Sequence, residues 1–247
     1  MAVNELDGKT ALITGASSGI GEASAGALAD RGANVALAAR REGELEDIAR
    51  AIESEYDREA LVVPTDVTNE GEVEALVEET VERFGGLDAV LANAGLGTTE
   101  PVAEMPTESY RTMISVNVDG AFFTARAAIP HLKESNGNLI FMGSFAGQYP
   151  RPGAPVYAAT KWWVRGFAHS LEGSIGEEDI AVTVINPTEV RTEFGSEEGD
   201  TQAESFEEGE VTSPEETAEA VVFAASQRPP TTTSEIDLYR RDKFEHF

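Results

Sequence analysis

Seven short apolar runs rich in β-branched residues alternate with longer stretches of helical periodicity, and no other feature constrains the fold as much. Strands are predicted at 9–14 (KTALIT), 34–39 (NVALAA), 60–64, 87–92, 138–142, 180–185 and 234–239. Helices are predicted at 19–31, 42–56, 70–84, 107–133, 156–175 and 214–226. Such alternation favours parallel pairing, because each crossover helix returns the chain to the same end of the sheet. The expected fold is α/β: a doubly wound parallel seven-stranded sheet with helices on both faces. No linker or repeat interrupts 1–247, so one domain is expected. In such sheets ligands bind beyond the carboxyl ends of the strands.

Composition removes several chemistries. The chain has no cysteine, which excludes disulfides, thiolate catalysis and cysteine-based zinc sites. Its three histidines (His131, His169, His246) lack metal-ligand spacing, so no metal is expected. No apolar run reaches the roughly 18 residues of a membrane span, and MAVNELDGKTALIT lacks the pattern of a signal peptide. A cytoplasmic protein without membrane partners is expected. Asp and Glu total 45 against 18 Lys and Arg, a net charge of −27, and only four of the basic residues are lysines. No basic face remains for nucleic acid. Self-repulsion of this size opposes the compact state in dilute salt. At about 1 M salt the Debye length falls to about 3 Å and the repulsion is screened. The acidic residues are spread along the chain, which points to a halophilic source with a salt-rich cytoplasm.

After the first strand comes TGASSGIG, with glycines at 15, 19 and 21. Glycines permit a tight turn and close backbone approach, and the following helix offers free N–H groups to a pyrophosphate. An ordinary tight strand–helix turn would also use glycine. The second strand ends Ala38-Ala39-Arg40-Arg41, with no carboxylate to hold a ribose 2′-hydroxyl. Guanidinium groups suit a 2′-phosphate, so NADP(H) is favoured over NAD(H). Solvated arginines at a helix start are the other reading of the pair.

YAATK at 157–161 places a phenol and an ammonium four positions apart, one turn along a helix face. This suits an amphipathic helix with a snorkelling lysine. A tyrosine whose proton affinity is lowered by a fixed positive charge is the other reading.

Together these segments resemble the short-chain dehydrogenase/reductase family in its single-domain, Rossmann-type form. TGASSGIG (with Gly15, Ser17, Ser18, Gly19, Ile20 and Gly21) is similar to its cofactor turn, and Asp66-Val67 to its adenine contact. LANAG is similar to N-N-A-G through Asn93, Ala94 and Gly95, with Ala92 in place of the first Asn. Asn117, Ser144, Tyr157 and Lys161 fall on the catalytic positions. The loop after the sixth strand departs from the pattern: Thr188 replaces a glycine, while Pro187, Val190 and Thr192 match.

The resemblance implies hydride transfer between a nicotinamide cofactor and a carbonyl or alcohol carbon. It makes Tyr157 the general acid or base. Lys161 would lower the Tyr157 pKa and hold the nicotinamide ribose, Ser144 would donate to the substrate oxygen, and Asn117 would hold a relay water. The segments 96–101, 145–155 and 193–210 are expected to line the substrate pocket. The last carries eight acidic residues and no Lys or Arg; it reads as a mobile lid and disfavours acyl-carrier protein or coenzyme A. The resemblance is strongest to reductases of small hydroxy acids and related alcohols. NAD(H)-linked chemistry, a 3-oxoacyl thioester reductase and a catalytically silent NADP(H)-binding sensor or scaffold are the alternatives. Trp162 and Trp163, and family habit, imply a homodimer or homotetramer. The aromatic, basic tail DLYRRDKFEHF docks on a neighbour or frays.

Overall fold

The computed structural model describes residues 5–195 and 201–244. The strands are β1 (Thr10–Thr14), β2 (Asn34–Ala39), β3 (Ala60–Pro64), β4 (Ala89–Ala92), β5 (Asn138–Met142), β6 (Ala181–Pro187) and β7 (Glu235–Leu238). All pair in parallel in one sheet of order β3-β2-β1-β4-β5-β6-β7. The helices are α1 (Gly19–Asp30), α2 (Glu42–Tyr56), α3 (Glu70–Phe84), α4 (Thr107–Ile114), α5 (Gly120–Ser135), α6 (Pro155–Ile175), α7 (Gln202–Ser205) and α8 (Pro214–Ala225). This is the Rossmann-like fold expected from the alternation.

Strand alternation sends neighbouring side chains to opposite faces. Ile13, Val35, Leu37, Ile140 and Met142 meet Leu28 of α1, Leu45 of α2 and Val221 of α8 on one face. Leu12, Ala36, Leu139 and Phe141 meet Leu76 of α3, Leu132 of α5 and Val164 of α6 on the other. Both faces are buried, which explains why the strands read as continuous apolar runs rather than alternating ones.

Two details differ from the sequence expectation. The helix expected at 107–133 contains a π-helical turn, Ser115–Asp119, between α4 and α5. The extra residue of that turn brings Asn117 inward, and such turns occur often at functional sites. Also, Thr188 is not strained. It has no left-handed backbone, and its N–H donates to Leu238 O at 2.9 Å, so glycine is not required there.

Candidate active site

Every residue singled out from the sequence lies beyond the carboxyl end of a strand or on the helix that follows. The strand order reverses between β1 and β4, which opens a crevice. Its two lips are stitched together. Asn93 Nδ2 donates to Thr14 O at 2.9 Å and to Gly15 O at 3.2 Å. The Asn93 and Ala94 N–H groups donate to Thr14 Oγ1 at 3.0 and 3.2 Å. Thr14 opens the TGASSGIG motif, but nothing in the sequence signals this bridging role.

The glycines of the turn leave little room for a side chain. Gly15 has φ +67°, and a Cβ there would lie 2.8 Å from Asn93 Nδ2. A Cβ at Gly21 would lie 2.1 Å from Gly15 O. Gly19 (φ +57°) faces Thr192, whose Cγ2 would be 3.0 Å from a Cβ. The β6 loop therefore reaches the cofactor turn. Ser18, the N-cap of α1, makes no side-chain cap bond, and Ile20 packs behind it on the core. The first N–H groups of α1 thus face the crevice with no side chain over them, as a pyrophosphate needs.

The two arginines behave differently. Arg41 bridges back to the turn: Nη2 donates to Ser17 Oγ at 3.0 Å and Ser17 O at 3.2 Å, and Nε to Ser17 Oγ at 3.2 Å. Its Nη1 lies 3.6 Å from Glu193 and 3.9 Å from Glu44. Arg40 is exposed and makes no ion pair among the described residues. Asp66 turns its Oδ1 to Thr68 N and Oγ1 at 2.9 and 2.8 Å, closing the turn before α3. Val67 is buried against Gly120. Pro187 ends β6, and Val190 is buried and bridges Thr212.

Ser144, Tyr157, Lys161 and Asn117 converge on the neighbouring region. Tyr157 and Lys161 share a face of α6, with Lys161 Nζ 5.9 Å from the Tyr157 ring centroid. Lys161 is 6% exposed, and its Nζ donates to Met142 O at 2.8 Å. Burial pulls its pKa down to about 8. Burial raises the Tyr157 pKa above the ordinary value, while a hydrogen bond from Ser144 and the Arg151 charge pull it back. Lys161 was expected to lower the Tyr157 pKa; here burial dominates, and the opposing influences come from Ser144 and Arg151. The phenol is therefore protonated at neutral pH.

Asn117 is 2% exposed and its side chain is fully engaged. Nδ2 donates to Leu96 O at 2.8 Å and Thr160 Oγ1 at 3.0 Å, and Oδ1 accepts from Leu96 N at 2.9 Å. It pins the loop after β4 to α6. Gly95 lies between Asn117 and Lys161; a Cβ there would be 3.4 Å from Asn117 Oδ1 and 3.5 Å from Lys161 Nζ.

Asn186 is a residue that motif reading missed. It is fully buried. Its Oδ1 accepts from Ser144 N at 3.3 Å, while Nδ2 donates to Glu235 Oε1 at 2.6 Å and Asp237 Oδ1 at 3.0 Å. Gly143 gives it room, since a Cβ at 143 would lie 2.2 Å from Asn186 Oδ1. Its place at the end of an apolar strand is the one signal that could have found it.

The substrate side is aromatic. Phe194 packs on Tyr157 at 5.6 Å between centroids. Phe145 stacks on Tyr149 at 4.5 Å and meets Tyr239 and Phe244 at 5.3 and 6.0 Å. The C-terminal segment through Phe244 thus packs its aromatic rings against Phe145 and Tyr149. Part of the expected lid, residues 196–200 with Glu197, Glu198 and Asp200, lies outside the described residues. Residues 202 and 203 pair back onto the β6 loop: Ala203 N donates to Thr192 O at 2.9 Å and Gln202 N to Phe194 O at 3.1 Å.

A parallel sheet with a glycine-lined crevice at its reversal, flanked by Ser, Tyr and Lys, defines a dinucleotide-dependent oxidoreductase architecture. The family model for short chain dehydrogenases matches residues 9–203, and the chain belongs to that family. An uncharacterized oxidoreductase of Staphylococcus aureus (strain USA300) is 35% identical over 234 residues, covering 94% of this chain and 97% of the relative. The alcohol dehydrogenase of Thermococcus sibiricus, solved with 5-hydroxy-NADP, is 34% identical with a TM-score of 0.85, covering 93% of this chain and 95% of that one. A 3-ketoacyl-(acyl-carrier-protein) reductase of Brucella melitensis, solved with NADH, is 31% identical with a TM-score of 0.83, covering 94% and 97%. Among the described residues no helix is long and apolar enough to cross a membrane, and no cluster of metal-ligating side chains occurs.

Proposed function

We propose that the chain is a single-domain, NADP(H)-dependent oxidoreductase that interconverts a carbonyl and a secondary alcohol. The observation that carries this reading is the convergence of Tyr157, Ser144 and Lys161 beside a glycine turn with no room for a Cβ at Gly15 or Gly21. The cradle fits the cofactor: Gly15 and Gly21 leave backbone space, and the N-terminus of α1 is uncapped. When bound, NADPH supplies the hydride to the carbonyl carbon.

The chain's own residues supply the rest. Tyr157, held protonated, gives its proton to the oxygen on which negative charge grows. Ser144 stabilises that oxygen with a second hydrogen bond. Lys161, with its pKa near 8, favours the phenolate left on Tyr157 once the proton has gone, and is placed to pass a proton inward. Asn117 positions both partners through Thr160 and Leu96, and a relay water would sit beside it. In oxidation the order reverses, with the Tyr157 phenolate as base.

Arg41 and Ser17 form the 2′-phosphate site, with Arg40 free to join them. Ala38 and Ala39 end β2 without the carboxylate that a ribose 2′-hydroxyl would use. The acidic 193–210 segment argues against acyl-carrier protein or coenzyme A. Exposed Trp163 and Phe122, both packed on Phe167, and exposed Trp162 on the same helix as Trp163 suit a homo-oligomer. The charge of −27 suits a protein that works in concentrated salt.

Titration with NADPH and NADH, followed by nicotinamide fluorescence in about 3 M KCl, tests the cofactor reading. NADPH should bind roughly 10- to 100-fold more tightly, and Arg41→Ala should remove most of the difference. Tighter NADH binding would make the arginines solvent-facing charges only. Binding of neither would end the oxidoreductase reading.

A further inference from the structure

In a chain of net charge −27, positive charge beside the catalytic tyrosine needs a reason. Arg151 stands within reach of it, and Arg151 and Lys243 share a single carboxylate, Glu189, and flank the ring of Phe145, the residue after Ser144. Lys243 is nearly buried, bonds Glu189 Oε1 and lies 4.8 Å over the Phe145 ring. Arg151 is different. Its side chain is 41% exposed and it touches Glu189 only at 3.5 Å, the one ion pair it makes among the described residues. Its guanidinium lies 6.0 Å from the Phe145 ring. The Arg151 charge also reaches the Tyr157 phenol. These three charges sum to +1 around Phe145, and among the described residues the Arg151 fork makes one hydrogen bond, to Glu189.

We propose that Arg151 is the specificity residue for an anionic substrate, binding a carboxylate a short distance from the carbonyl that Tyr157 protonates. A guanidinium suits this because it offers a planar fork to a carboxylate. Lys243 makes Arg151 available. By neutralising Glu189 it keeps that carboxylate from taking the guanidinium or repelling the substrate. The oxygen Glu189 Oε2 is buried with no hydrogen-bond partner. Without Lys243, Glu189 would have two oxygens seeking a donor and Arg151 within reach. The C-terminal segment therefore does more than cover the site: its lysine sets the charge that the substrate meets.

This inference rests on the oxidoreductase reading, and its test separates the two. A series of short 2-, 3- and 4-oxo acids is compared with the corresponding methyl esters, which share the skeleton without the charge. The readout is the acid-to-ester ratio of kcat/KM with NADPH, so a general change in Tyr157 reactivity cancels. At least one acid should be preferred over its ester by roughly 10- to 100-fold. Arg151→Gln should bring that ratio to within about threefold of unity. Lys243→Met should lower the ratio too, and the double variant Glu189→Gln/Lys243→Met should restore it. The double variant leaves no unpaired buried carboxylate, so it guards against a folding defect in the single one. Independently of turnover, the preferred acid but not its ester should raise the Tm of the wild-type protein, and not that of Arg151→Gln. No acid preferred over its ester, or equal losses for acid and ester in Arg151→Gln, would overturn the proposal. Failure to bind NADPH with an intact acid-dependent rise in Tm would instead sink only the oxidoreductase reading.

Discussion

Lys161 is an ammonium buried without a counter-charge. It is 6% exposed and forms no ion pair with any carboxylate among the described residues. Its hydrogen bond goes to a neutral acceptor, Met142 O, at 2.8 Å. Burial lowers its pKa from 10.5 to about 8. The folded protein therefore binds this proton less tightly than the unfolded chain does. Below about pH 8 both states hold the proton, and the folded state bears the full penalty. As pH rises from about 8 towards 10.5 the folded protein releases the proton first, and the penalty disappears. That interval, at about 1.4 kcal/mol per pH unit, corresponds to about 3 kcal/mol.

Lys161→Met removes the penalty and leaves the Met142 carbonyl without its donor, a loss of about 1 kcal/mol. The variant should thus be about 2 kcal/mol more stable than wild type at pH 7. Its advantage should shrink, and then vanish, as pH approaches 10. Urea denaturation at constant KCl is the assay, because guanidinium would itself change the ionic strength. A variant less stable than wild type at pH 7 would refute the reasoning. So would a stability difference that stays constant between about pH 7 and 9.5. The expected gain has a functional meaning, since catalytic groups are commonly held at a cost to stability.

Other expectations follow from the same geometry. Gly21→Ala should lower NADPH affinity at least roughly tenfold and reduce Tm, because its Cβ meets backbone at 2.1 Å. Gly26→Ala on the same helix, where the nearest atom is the Tyr56 hydroxyl at 3.9 Å, should be neutral or stabilising by up to about 1 kcal/mol; equal effects of the two changes would refute the cradle. Asn117→Ala should cost about 2–3 kcal/mol in urea denaturation by stranding Leu96 N–H and C=O, and a loss under about 0.5 kcal/mol would show that the loop is held elsewhere. Thermal melts from dilute buffer to about 3 M KCl should show Tm rising with salt, as screening relieves the net charge; a falling Tm would remove the halophilic reading.

Much of the fold was legible because its determinants are local. Strand runs, helical periodicity and the glycine turn each lie within about 20 residues, and the expected strand boundaries fall within two residues of those found. Tyr157 and Lys161 share a helix face as their spacing of four implies, whereas Ser144 was singled out only through the family resemblance. What the sequence concealed depends on pairs far apart in the chain. Asn186 steadies Ser144 from the end of β6 and is held in turn by Glu235 and Asp237 of β7. Lys243 meets Glu189 only because β7 runs beside β6 and delivers the C-terminal segment to the β6 loop. Periodicity reports which face a residue occupies, but not which partner lies across the sheet. The Tyr157 pKa shows the same limit. A helical spacing of four brought Lys161 to the right face, but the strength of its influence depends on burial, and burial is a property of the assembled core. Thr188 makes the converse point: judged by its motif it looks like a defect, whereas its N–H joins β7 and its backbone needs no glycine. Residues that set chemistry through long-range charge, such as Lys243, are therefore the ones for which structure adds most.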